Sequence, residues 1–260
     1  MKNELLSKSN GYFTKIVCLI AILAVGFSCL AFWKRQSFAN KYEELTKPTP
    51  PAATEVTKEQ VKERETAVKS GLPEKFNLDV PFIKQAPLGV WDATHEETCE
   101  EASVLTVHAY NQKLILTDSE VEVELLRLVE VQKKLFGFFE DTDVSKTIKF
   151  AKTAYEIKSS RVLENPTLEQ IKYEIYAGRP VLMPADGKML KNPNFRGGGP
   201  KYHLIVLRGW DKNGFFTNDP GTRKGENYYY VNKIIQESMH DWSEADQLAT
   251  GPRRVFVLTE

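Results

Sequence analysis

The sequence predicts an α+β fold, with a helical first part packed on an antiparallel sheet. Three observations predict it. Residues 98–178 carry apolar residues at helical spacing behind polar caps. Residues 180–260 gather them into short runs broken by Gly, Pro and Asn. Within that second part, Asp211-Lys212-Asn213-Gly214 reads as a hairpin turn, because Asn and Gly tolerate the positive φ such turns need. Helices first and antiparallel strands second argue against alternating α/β units.

At the N-terminus, Ile16–Trp33 is almost wholly apolar, with Ser28 its only hydroxyl. A stretch of about 18 residues is near the minimum for a transmembrane helix. Lys15 precedes it, Lys34 and Arg35 close it, and Tyr12 and Trp33 suit its two interfaces. A cleaved signal peptide has a shorter apolar core and a small-residue cleavage site. Lipoprotein-type cleavage before Cys29 would place the bulky Phe27 where a small residue belongs. Residues 1–35 are therefore read as a short tail and an uncleaved anchor, N-terminus inside, with the rest on the extracytoplasmic side.

Residues 36–75 read as a linker. Lys47-Pro48-Thr49-Pro50-Pro51 is stiff and extended, and Thr54–Ser70 is charge-rich with little to bury. A globular domain then runs over 76–260, opening on Leu78-Asp79-Val80-Pro81-Phe82-Ile83.

Three capping-box patterns mark helix starts, at Thr98 with Glu101, Ser119 with Glu122, and Thr167 with Gln170. Val121, Leu125, Leu128 and Val129 share one helix face that ends at Gly137. Val144, Ile148, Ala151 and Tyr155 make a second face, and Leu168, Ile171 and Ile175 a third. The strands are Pro180–Met183, His203–Trp210, Phe215–Asn218, Tyr228–Val231 and Arg254–Leu258.

Charge excludes one class of partner. The chain holds 35 basic and 35 acidic residues, but five of the basic ones and only one acid lie in positions 1–35, leaving a net of −4 beyond. With no Lys/Arg cluster, nucleic-acid binding is not expected.

Of three cysteines, Cys18 and Cys29 lie in the apolar stretch, so Cys99 is the only thiol in the domain. It stands just after Thr98, at the first turn of a helix, where unpaired N–H groups and the helix dipole favour a thiolate. Glu97, Glu100 and Glu101 oppose this, so the thiol requires a cationic partner. The structural alternative is a small buried residue in a helix–sheet contact. His203 supplies the partner, because it opens the strongest strand directly after the Gly-rich run Arg196–Tyr202. Asn218-Asp219-Pro220 ends the neighbouring strand. A three-residue loop or one bulge pairs Asp219 with Leu207, on the same face as His203. Gln85, upstream in Val80–Pro87, offers a side-chain amide. Zinc is not expected, since His95 lies outside the helix and its spacing to Cys99 has no helical meaning. No cofactor is implied.

The order Gln, Cys at a helix start, His at a strand start and Asp on the next strand resembles the C39-like cysteine peptidase family, which has a papain-like fold. The resemblance covers about residues 76–260. It rests on Val80-Pro81-Phe82-x-x-Gln85, on Cys99 opening a helix, on His203-Leu204-Ile205-Val206-Leu207-Arg208-Gly209-Trp210-Asp211, and on Phe215-x-x-Asn218-Asp219-Pro220-Gly221. It implies that Gln85 is an oxyanion donor, Cys99 the nucleophile, His203 the general base and acid, and Asp219 the residue orienting His203. It also implies a peptide or protein substrate. Pro87–Thr98 lengthens the Gln–Cys separation and brings Trp91 as a candidate cleft wall. Asp141 and Asp143 read as a helix approach and its cap, and Asn192–Phe195 with the following glycines as a flap. A tethered peptide- or cell-wall-binding module and an acyltransferase on the same triad remain the competing readings.

Overall fold

The computed structural model describes Lys34, residues 47–67 and residues 71–259. The apolar stretch 16–33, and with it the expected transmembrane helix, lies outside the described residues. Among those described, no helix is long and apolar enough to cross a membrane.

Residues 54–67, which composition reads as linker, lie against the domain. Thr54 N–H donates to Asn77 O at 2.9 Å, and Asp79 N–H donates back to Thr54 O at 3.0 Å. Helix α1 (Lys58–Ala67) has few apolar residues. It docks instead through Arg64, which donates to Tyr176 O at 3.0 Å and lies 5.0 Å from the Phe76 ring and 4.8 Å from that of Tyr176. The two aromatic faces hold the cation of this half-buried side chain.

The remaining elements follow in chain order. They are β1 (Phe76–Asn77), a 3-10 turn (His95–Glu97), α2 (Cys99–Gln112), α3 (Asp118–Phe136), α4 (Val144–Tyr155), β2 (Ser159–Glu164), α5 (Leu168–Tyr176), β3 (Val181–Ala185), a second 3-10 turn (Arg196–Gly198), β4 (His203–Trp210), β5 (Gly214–Asn218), β6 (Tyr228–Val231), α6 (Asn232–Ser238) and β7 (Arg254–Thr259). The strands form one antiparallel sheet in the order β2-β7-β3-β4-β5-β6, with β1 pairing to the end of β4. The α+β expectation holds.

Thr167 and Gln170 form the capping box the pattern predicts. The box of α3 is Thr117 with Glu120, two residues before Ser119 and Glu122. Thr98 makes no cap bond at all. Its hydroxyl donates to Gln85 O and His95 O, because the 3-10 turn runs straight into α2 and leaves Thr98 outside cap geometry. Strand β2 carries no run of buried residues, and helical periodicity in its surroundings hides it. It is held by pairing with β7, by Leu163 packed on the core and by Arg161 donating to Glu174.

Helix α2 is buried over Cys99–Val107 and is tied to the sheet by Ser103 Oγ donating to Leu204 O at 2.9 Å. Strands β3, β4 and β5 are buried along their whole lengths, as expected of central strands covered on both faces. Gly209 is needed where β1 crosses β4, since a Cβ there would lie 2.6 Å from Phe76 O. Gly209→Ala is expected to destabilise by about 1–3 kcal/mol through overpacking. Thermal unfolding checks this, at roughly 2–4 °C per kcal/mol for a domain of this size. An unchanged midpoint would contradict the close approach.

Candidate active site

Strand register decides whether His203 and Asp219 meet. The turn itself is tight, with Asp211 N–H donating to Gly214 O and Asp211 Oδ1 accepting from the Asn213 and Gly214 N–H groups. A bulge follows on β4, not in the turn. Trp210 and Gly209 pair with Phe215 and Phe216, but Leu207 and Val206 pair with Thr217 and Asn218, leaving Arg208 as the extra residue. Carried one residue further, this register sets Asp219 beside Ile205. The expected partner Leu207 is thus corrected by two residues. His203 remains on the Asp219 face and is now only two residues from that position. The bulge is anchored by the buried Arg208 guanidinium, which donates to Leu78 O and Asn218 Oδ1. Burial lowers its pKa to about 10.

His203 Nε2 lies 2.8 Å from Asp219 Oδ1, and both side chains are buried. Gly221 N–H donates to the same oxygen at 3.0 Å. Gly221 itself packs against the imidazole, where a Cβ would lie 2.9 Å from His203 Cε1. Phe195 covers the ring edge-on at 5.2 Å. Burial pushes Asp219 up, but His203, Tyr230 and Asn192 outweigh it and hold the carboxyl below its ordinary pKa. An ionised Asp219 assigns the Nε2 proton to His203 and leaves Nδ1 as the basic nitrogen.

Cys99 begins α2 and lines a cleft of about 880 Å³ together with His203, Gln85, Trp91, Asp141 and Phe195. That volume suits a peptide-sized ligand. The thiol donates to the neighbouring Glu100 Oε2 at 2.9 Å and receives the Leu204 backbone N–H. Glu100 is fixed from the other side by Thr142, whose N–H donates to Oε1 at 2.7 Å. Burial, then the Glu100 charge, push the thiol well above its ordinary pKa. Desolvation raises Glu100 as well, and with Glu97 and Glu140 it lifts Asp141 to about 7. Burial comes first, and the acidic neighbourhood read from the sequence adds to it, so the thiol is held in its neutral form.

Glu100→Gln is expected to speed alkylation of Cys99 at about pH 8.5, where Glu100, raised to about 7 by burial, carries its charge. Removing the negative charge favours the thiolate, and a contact charge moves a pKa by about 1–3 units, so the rate should rise at least about tenfold. The glutamine carbonyl still accepts from Thr142. Iodoacetamide kinetics against pH check this, and a slower rate would show that Glu100 assists ionisation.

Gln85 also lines the cleft, yet its amide hydrogens are already taken. Nε2 donates to His95 O at 2.8 Å and to Glu96 O at 3.2 Å, while Oε1 is buried without a hydrogen-bond partner. This departs from the implied oxyanion role. The inserted 3-10 turn presents its carbonyls to Gln85 and occupies the donors. His95 is held between Asp92 and Glu122 and does not join Cys99. Asp143 caps α4 by accepting from Lys146 N–H, as its position suggests. Among the described residues no cluster of three His, Cys, Asp or Glu is placed to hold a metal.

Two partners of the site escaped sequence reasoning. Tyr230 on β6 and Asn192 at the start of the flap both donate to Asp219 Oδ2. Asn192 stood out only as part of the flap. Tyr230 sits in a run of three tyrosines with nothing to single it out.

A helix-borne cysteine and a strand-borne histidine thus line one cleft of an α+β domain, with an aspartate bonded to the histidine. The model of the Peptidase C39-like family matches residues 77–250, and the chain belongs to that family. A solved structure from Bacillus anthracis, described as a candidate C39-like peptidase, is similar at 15% identity with a TM-score of 0.48, covering 72% of this chain and 98% of that one. No curated protein matches.

Proposed function

We propose that this protein is a membrane-anchored cysteine peptidase acting through Cys99, His203 and Asp219. The observation that carries the reading is the buried His203–Asp219 bond at the wall of the same cleft that Cys99 lines. His203 Nδ1 takes the Cys99 proton, and the thiolate attacks the scissile carbonyl carbon. The Cys99 N–H, at the first position of α2, has no acceptor within the helix and stabilises the oxyanion. Imidazolium returns the proton to the leaving amine as the C–N bond breaks. Water, deprotonated by His203, then hydrolyses the thioester. Gln85 acts indirectly, by holding the His95–Glu97 turn that feeds α2. Residues 16–33 anchor the chain, with the domain on the extracytoplasmic side.

The Cys99–Glu100 bond favours a second reading, a tethered module that holds peptide without cleaving it. Profiling a peptide library with residues 49–260, which form one unit, separates the two. A peptidase yields new termini at defined bonds. Retention of peptides with no new terminus at any pH would favour the binding module. A transfer enzyme would instead couple added amine to the acyl fragment.

A further inference from the structure

We propose that Tyr230 and Asn192 are positioning residues of the reaction, acting on His203 through Asp219; this rests on the peptidase reading above. Asp219 is wholly buried and accepts four hydrogen bonds, two on each oxygen. Oδ1 accepts from His203 Nε2 at 2.8 Å and from Gly221 N–H at 3.0 Å. Oδ2 accepts from Tyr230 OH at 2.6 Å and from Asn192 Nδ2 at 3.0 Å. The four donors use up the lone pairs of the carboxylate, so it has one orientation, with Oδ1 reserved for the imidazole.

Asn192 does more than donate. Its amide group also reaches Tyr230 OH at 2.9 Å, and its Oδ1 accepts from both the backbone and the side chain of Asn194 at 3.0 Å. Every polar atom of the side chain is therefore engaged. Asn194 and Phe195 line the cleft, and Phe195 meets the His203 ring. One side chain thus ties the substrate-facing loop to the acid behind the histidine. The order of that loop and the orientation of His203 become a single structural event. Tyr230 adds the second tie, from the edge strand of the sheet. The titratable groups facing Asp219 are His203 and Tyr230, and burial with the Asp219 charge keeps the tyrosine protonated as a donor.

The test uses the full chain with Tyr230→Phe and Asn192→Ala, each removing one donor from Oδ2. Two readouts are taken. The first is kcat and KM on a peptide the wild type cleaves. The second is the Asp219 carboxyl titration, followed by carbon-13 NMR with labelled aspartate, which does not depend on catalysis. The expected result is a fall in kcat of about tenfold, KM within twofold, and an upward move of the Asp219 titration in both variants. An unmoved titration in both variants overturns the proposal, as does a rise in KM with kcat untouched. If the wild type cleaves nothing, the peptidase reading fails by itself, and the titration still decides whether these residues hold Asp219. Because the two donors share one oxygen, either variant carries the test should the other fail to fold.

Discussion

Cys99→Ala is expected to abolish peptide hydrolysis while leaving the protein folded. Removing the nucleophile of a hydrolytic triad lowers kcat by factors on the order of 10⁶ in well-studied cases, leaving only what binding and oxyanion stabilisation supply. The structural cost is small. Cys99 contributes one sulfur atom to the cleft wall, so the cavity left is of methyl size and costs about 1 kcal/mol. Glu100 loses the thiol donor but keeps the Thr142 N–H. Hydrolysis and thermal unfolding are measured on the same preparation. Loss of turnover with an unfolding midpoint within a few degrees of wild type is the expected result. Retention of full activity would remove Cys99 from the mechanism.

Asp219→Asn is expected to be nearly as damaging by a different route. The four groups around the carboxylate are all donors. An asparagine must turn its NH₂ toward two of them. If it faces Oδ1's partners, it donates to His203 Nε2 and drives the proton to Nδ1, leaving the imidazole unable to accept from Cys99. If it faces Tyr230 and Asn192, donors oppose donors in a dry site at about 1–3 kcal/mol per unsatisfied group. The tautomer effect alone is worth about 10⁴ in kcat where it has been isolated in another enzyme. Steady-state kinetics beside thermal unfolding separate the two outcomes, and a loss below tenfold in kcat would contradict an orienting role.

The local features were legible in the sequence, because a single element fixes them. Cys99 at a helix start, His203 at a strand start and the boxed start at Thr167 each follow from a few adjacent residues. Features that depend on two elements were legible only in part. Strand alternation makes a shared face for His203 and Asp219 conditional on a bulge or a three-residue loop, and the site of that bulge is not legible. Its location depends on Arg208 finding Leu78 O, 130 positions away. Thr98 carries a capping-box pattern that the preceding 3-10 turn overrides, and the same turn redirects Gln85. Strand β2 lacks the alternation that marks a half-buried strand, because its edge position leaves it mostly exposed. Asn192 and Tyr230 were illegible for the same reason, since their partner Asp219 lies 27 and 11 positions away on other elements.

The measurement that bears most directly on the central claim is covalent capture by a peptide carrying an amide-like electrophile, read by mass spectrometry of the labelled protein. One modification per chain, located at Cys99 and lost in folded His203→Ala, is the result predicted. Labelling that persists at the same rate in His203→Ala, or that falls elsewhere in the chain, would contradict a Cys99–His203 reaction centre.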